Sequence, residues 1–402
     1  NRAEKTYPYQ EFDVGRPIET PSIYDELTNK GAVFGQSFGM EHPNWFASKI
    51  GIKDTLTFGQ PNWWLPVAEE GKHIRNEVGL MEYSAMAKFE ISGPNAEHWL
   101  NFIMANKMPK VGKIILTPML SENGKIIGDL SISKITDTTF LILGADIMQL
   151  SFARHFNKYL PQEGVSIKNL SSELAGLHLC GPNSKEILSR IVNRDMTSEN
   201  FGFMSCDKIS VGSVRNVNIL RISFTGECGY ELYVKRADQR RLFDILLSEG
   251  KSLGIRLVGT RSLMNTRLEK SFKAWGHEIS PDYSILECEL SKYINLTKKN
   301  FIGKAAISKL DMISERFSTF TINDDDQTIW GDEAIFFNNE PVGYVTSGGW
   351  GPVTEKNIAL GYILPECYAE NNSFLIEIKG KMIPAQLSIQ SLYDPKGLRM
   401  YS

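Results

Sequence analysis

Between Phe224 and Val234 the chain reads FTGECGYELYV, with Glu227 and Glu231 spaced around two glycines. A carboxylate held beside such a turn can accept paired N–H donors from a ligand. The same residues also make an ordinary hairpin: glycine supplies the positive φ of a tight turn, and Tyr230, Leu232 and Val234 alternate as one face of a half-buried strand. A further carboxylate interrupts the apolar stretch GKIIGDLSISKI at Gly128-Asp129. Buried there without a partner it would be costly, the situation of a general acid or base; at a loop edge it would simply accept backbone N–H bonds.

Other side chains gather after these. Arg261 opens the helical pattern RSLMNTRLEKSF. It therefore stands at a helix N-terminus that favours anions, or forms a surface salt bridge of little worth. Arg267 reads as internal scaffolding paired with Glu269 or a neighbouring acid. Trp275 in KAWGHEI offers a flat apolar face to a ligand ring, or packs in the core. His277 can line the same pocket or be a structural histidine. Tyr230 is a further candidate for ligand contact, although it alternates with Glu231 and points to the other strand face. Cys228 has no histidine near it in sequence and is not a candidate nucleophile.

Composition limits the chemistry. The chain has 402 residues, 42% hydrophobic and 23% charged, with a net charge of −3. That is the balance of a globular protein large enough for about two or three domains. No basic run is dense enough to follow a phosphate backbone, so nucleic acid is excluded as a partner. No apolar run approaches a membrane span. The five cysteines are scattered with no C-x-x-C, and the six histidines have no ligand spacing, which argues against disulfides and metal. A reducing compartment fits: cytoplasmic, with a mitochondrial matrix as the alternative. The start, NRAEKTYPYQEFDVGRP, lacks both an apolar signal segment and an initiator Met, so the expectation is a processed chain or part of a longer one.

The elements that must hold these residues follow from periodicity. PSIYDEL starts a short helix and EHPNWFA reads as a Pro-Trp loop. KFEISGP is a strand stopped by Gly93-Pro94, and NAEHWLNFIMA a helix capped by Asn95. KIILTPMLSENGKIIGDLSISKI is two strands joined at Asn123-Gly124. TFLILGAD is a strand, and IMQLSFARHFNKYL has helical spacing. The order then repeats: LAGLHLCGP, a strand with a Gly-Pro stop; NSKEILSRIV, a helix; VNILRISFTGECGYELYV, a hairpin; QRRLFDILLSEGKSLG, a helix closed by Gly254. From about Phe317 the chain is rich in strands and turns, as in a small closed β domain. No G-x-G-x-x-G follows an early strand, so a flavin or dinucleotide domain is not expected.

Six segments in order resemble the aminomethyltransferase (glycine-cleavage T-protein) superfamily: RNEVGLMEYSAMAKFEISGP, GDLSISKI, FTGECGYE, RLEKSFKAWGHEISPD, NFIGKAAI and GYVTSGGW. The stretch Gly31–Ala47, GAVFGQSFGMEHPNWFA, is similar to the folate-binding C-terminal half of dimethylglycine and sarcosine dehydrogenases. The resemblance implies an α+β fold, a three-domain cloverleaf of two α+β units and a β-barrel-like domain. It divides the chain into a linker-like segment 1–48, a folate-binding region 49–310 and a β-rich domain 311–402.

The implied activity is transfer of a methylene unit from an oxidised N-methyl amine to tetrahydrofolate, giving 5,10-methylenetetrahydrofolate. FAD would belong to a missing domain or a partner flavin oxidoreductase subunit. By this resemblance Asp129 is the catalytic carboxylate and Glu231 the acceptor of the pterin edge. Arg261 reads the folate glutamate tail, and Tyr83, Tyr230, Trp275 and His277 line the site. Two alternatives remain: a free-standing folate-dependent demethylase or aminomethyltransferase, and a non-catalytic folate-binding accessory protein. The accessory proteins show K-G-C-Y-x-G-Q-E where this chain has KSFKAWGHE. Gly144 stands where T-proteins usually carry asparagine, which favours the dehydrogenase branch over glycine cleavage.

Overall fold

The computed structural model describes residues 6–324, 327–370 and 372–402; the first five residues of the polar start lie outside them. Within it, alternating apolar positions build two sheets. The first has five strands in the order Ile114–Leu120, Ile126–Thr136, Thr139–Gly144, Ala87–Ser92, Ser166–Asn169, each antiparallel to its neighbour. One face, carrying Phe89, Ile91, Leu130 and Ile132, packs on the helices Ala96–Ile103 and Gln149–Lys158 through Trp99, Leu100, Phe152 and Phe156.

The second sheet has six strands in the order Cys206–Val211, Val214–Leu220, Gly229–Lys235, Leu174–Cys180, Val78–Glu82, Ile255–Leu257. Only the last pairing is parallel. Leu177, Leu179, Tyr230, Leu232 and Val234 turn to the helices Ser184–Ile191 and Gln239–Gly250. Both sheets run hairpin, third strand, first strand, so the repeated order in the sequence is a repeat of topology.

The other faces meet. Ile114, Leu141 and Leu143 of the first sheet and Cys206, Leu220 and Tyr233 of the second form one buried cluster. A closed barrel of six strands follows, in the order Arg316–Ile322, Lys356–Ile363, Glu340–Gly351, Ala334–Phe337, Ser373–Ile378, Lys381–Ser388. The helix Thr260–Glu269 lies between the helix Trp64–Asn76 and the barrel strand Glu340–Gly351.

Three local expectations are corrected. EHPNWFA is not a loop: Met40–Phe46 is a strand antiparallel to Ala32–Ser37. Pro43 stands opposite Phe34 at a register shift in that pairing, an irregularity of the kind that tolerates a missing N–H. Asn95 occupies the N-cap of its helix without a side-chain cap bond. The strands around FTGECGYELYV pair, yet residues 221–228 between them form an extended loop rather than a two-residue turn. No helix among the described residues is long and apolar enough to cross a membrane.

Candidate functional site

Strand parity sets the centre. In Ile126–Thr136, Leu130 and Ile132 face the helices, so Asp129 and Ser131 face the second sheet. In Gly229–Lys235, Tyr230 and Leu232 face helices, so Glu231 and Tyr233 face the first sheet. Asp129 and Glu231 therefore stand on the facing surfaces of the two sheets, in the layer that also holds Leu143 and Leu220.

Asp129 is half-buried in register with Pro118, and no other side chain among the described residues hydrogen-bonds its carboxylate. Burial pushes that carboxyl up to about 7, opposed only by its own backbone N–H. Gly128, beside it, has no room for a side chain: a Cβ would stand 2.4 Å from Phe152 Cε1.

Glu231 is 6% exposed. Burial raises its carboxyl to about 7, against a hydrogen bond of 2.8 Å that Tyr233 Oη donates to Oε2. Oε1 lies 4.0 Å from His178 Nδ1, directly across the ladder. His178 is fully buried, both ring nitrogens lack a partner, and burial pulls the imidazole down to about 4. Tyr83 stands edge-on to His178, with ring centroids 5.3 Å apart. Burial, then Glu231 and Asp146, hold its phenol well above the usual value.

The remaining candidates divide. Tyr230 is fully buried in the helix-side core, its ring stacked near that of Phe201, so the structure does not bring it to the shared layer. Trp275 is half-buried against Leu268, Ile279 and Tyr283. Gly276 approaches Ile147, so the 275–277 loop meets the loop that follows Thr139–Gly144. His277 is exposed, with Nδ1 3.4 Å from Thr346 O; desolvation and then Arg267 lower its imidazole.

Arg261 sits near the helix start, as the spacing implies, but its fork is partly taken. Nη2 donates to Asp54 Oδ2 at 2.5 Å, and the guanidinium lies 4.3 Å from the Trp63 ring and 5.7 Å from that of Tyr9. Nη1 is buried with no partner. The residue is thus attached to the 54–63 segment rather than to the sheet layer.

Glu227, in the loop before the strand, does more than shape a turn. It is buried and accepts from Arg75 at 3.0 Å, Arg399 at 2.7 Å and Tyr393 at 2.7 Å. Arg267 pairs with Glu278 at 2.8 Å, a neighbouring acid, while Glu269 takes Arg75. His178 and Tyr233 escaped the sequence reading. The signal was present: His178 interrupts the apolar strand LAGLHLC as Asp129 interrupts its own, and Tyr233 is two positions from Glu231 on the same face. Among the described residues no group of three or more His, Cys, Asp or Glu is placed to hold a metal.

These groups fit tetrahydrofolate. Glu231 Oε1 has no hydrogen bond, Asp129 has no side-chain partner, and the imidazole of His178, with two orphaned nitrogens, adjoins Glu231. A pterin presents the N–H donors and ring nitrogens that such acceptors and donors require.

Residues 23–298 match the family described as GCVT N-terminal domain, and residues 316–394 the glycine cleavage T-protein C-terminal barrel domain. The chain is 32% identical over 388 residues to the mitochondrial dimethylglycine dehydrogenase of Homo sapiens, covering 94% of this chain and 44% of that one. It is 30% identical over 353 residues to the aminomethyltransferase of Listeria monocytogenes, covering 85% and 94% respectively. The solved glycine cleavage system aminomethyltransferase T from Bartonella henselae has the same fold, with a TM-score of 0.81 at 23% identity over 94% of this chain and 99% of that one. The chain spans less than half the length of the human dehydrogenase it matches.

Proposed function

The chain belongs to the aminomethyltransferase (glycine cleavage T-protein) family, a tetrahydrofolate-binding family, and on that premise we propose that it transfers a methylene unit from an oxidised N-methyl amine of the dimethylglycine or sarcosine type. In this reading it is the folate half of an amine dehydrogenase, with FAD in another domain or a partner subunit. One observation carries it: two carboxyls of raised proton affinity, Asp129 and Glu231, on facing surfaces of the two sheets.

Tetrahydrofolate, when bound, supplies the nitrogen nucleophiles that take up the carbon. Glu231 holds the pterin edge by accepting paired N–H donors, which also favour its ionised form. Asp129 is poised near neutrality to accept a proton from the reacting nitrogen and stabilise cationic charge beside it. Leu143, Leu220 and Tyr83 wall the layer and exclude water, which strengthens both interactions. Trp275 and His277, on the loop that approaches Ile147, are assigned to the ligand's rings. Arg261 Nη1 offers a free N–H to an anionic tail.

A second reading is a free-standing aminomethyltransferase. It is favoured by the coverage of the Listeria protein, 94% of whose length this chain matches. Calorimetric titration of tetrahydrofolate, followed by methylene transfer from formaldehyde, tests the shared core of both. The expected result is micromolar binding that Glu231→Ala abolishes, and transfer that Asp129→Asn abolishes while binding persists. Absence of binding by the parent chain overturns the folate assignment. Turnover of a methylated amine without any flavoprotein would select the second reading.

A further inference from the structure

His178 is the least satisfied polar side chain of the site. A neutral imidazole carries one donor and one acceptor, and neither ring nitrogen has a partner although the residue is 0% exposed. Leaving such groups unpaired inside a protein is destabilising and rare. Its placement is specific. His178 lies between Glu231 on one neighbouring strand and Met81 on the other, with Nδ1 aimed at Glu231 Oε1 across 4.0 Å. Nε2 turns to the backbone of Gly229, where a Cβ would stand 3.3 Å away, so glycine there leaves the ring its space. The titratable groups facing the ring are Glu231 and Tyr233 from one strand and Tyr83 from the other side.

We propose that His178 is the positioning residue of Glu231: its neutral ring donates from Nδ1 to Oε1 when the carboxylate takes up a paired N–H edge, and so fixes the orientation of the acceptor. A carboxylate has about four lone-pair positions. Tyr233 occupies one on Oε2 and His178 one on Oε1, leaving one on each oxygen turned to the ligand. With only the tyrosine in place the carboxylate can tilt about its terminal torsion, which is broad. The 4.0 Å gap closes by a rotation of either side chain. The low proton affinity of the buried ring agrees with a neutral donor rather than an ion pair.

This inference rests on the reading of Glu231 as the ligand's acceptor, and the test separates the two. In the 402-residue chain, His178→Leu removes the donor and His178→Asn keeps an N–H near the Nδ1 position. The expected tetrahydrofolate affinity falls roughly tenfold for the leucine variant, as for loss of a hydrogen bond to a charged group, and by less than about threefold for asparagine. A second readout does not depend on any variant folding. With 15N-labelled histidine in the parent chain, saturating tetrahydrofolate should bring His178 to the Nδ1–H tautomer. Parent-like affinity in His178→Leu, or an Nε2–H tautomer in the saturated parent, overturns the positioning role even while Glu231→Gln abolishes binding. If Glu231→Gln also binds like the parent, the acceptor reading falls and this inference falls with it.

Discussion

Tyr233 Oη donates to Glu231 Oε2 across 2.8 Å, from two positions along the same strand, so one face of one strand supplies both the acceptor and its support. That bond stabilises the ionised carboxyl and opposes the burial that raises it to about 7. Tyr233→Phe should therefore push the carboxyl higher. Tetrahydrofolate affinity at pH 7 falls about tenfold in this variant and is partly restored at pH 8.5, where more of the carboxyl is ionised. Titrations at both pH values check it; equal loss at each would show that Glu231 ionisation does not limit binding.

Asp129 carries a cost that its replacement should reveal. Burial pushes its carboxyl up to about 7 in the folded chain, from the ordinary aspartate value of 3.8, so the folded state holds the proton more tightly than the unfolded one. The associated stability is fully present below about pH 4 and is lost as pH rises through about 7. Asp129→Asn abolishes that dependence. Its melting temperature should match the parent near pH 4 and exceed it at pH 8. Methylene transfer falls by about 10²–10⁴. A variant no more stable than the parent at pH 8 would mean that the native site does not disfavour the charge.

Asp129 and Glu231 were legible because each breaks a local rule, an acid placed in an apolar strand, and strand parity then fixes the face it takes. The repeated order of strands and helices was legible for the same reason: it is written in short-range periodicity. Glu227 was not. Its partners Arg75 and Arg399 lie 152 and 172 positions away, and no local pattern distinguishes a buried ion-pair acceptor from a polar turn residue. Arg261 was legible only in part. The helix start was read correctly, but Asp54, 207 positions away, takes part of the fork. The strand Met40–Phe46 was hidden by Pro43, which fits a strand only at the irregularity its partner provides.

The half-engaged guanidinium of Arg261 makes a selective prediction. Arg261→Ala should weaken tetrahydrofolate about tenfold while leaving a tetrahydropterin without the benzoylglutamate tail unchanged. Asp54→Asn keeps the guanidinium in place and releases Nη2, so it should tighten only the tailed ligand. Equal effects of Arg261→Ala on both ligands would assign the residue to packing on Trp63 instead.

Glu227 sits four residues before Glu231 and joins three parts of the chain. Arg75 brings in the helix Trp64–Asn76, its other fork arm pairs with Glu269 of Thr260–Glu269 at 3.0 Å, and Arg399 and Tyr393 come from the segment after the barrel. Arg75 and Glu227 are each 1% exposed, whereas the Arg399 side chain is 41% exposed. Removing one partner of a fully buried pair leaves an uncompensated charge and costs about 3–5 kcal/mol, while an exposed pair contributes about 0–1 kcal/mol. Glu227→Gln should thus lower unfolding stability in urea severalfold more than Arg399→Ala. Because the loop it anchors runs directly into the strand that carries Glu231, it should also weaken tetrahydrofolate binding under conditions where the variant remains folded. Equal destabilisation by the two variants would place the main worth of Glu227 in its solvent-facing contact with Arg399.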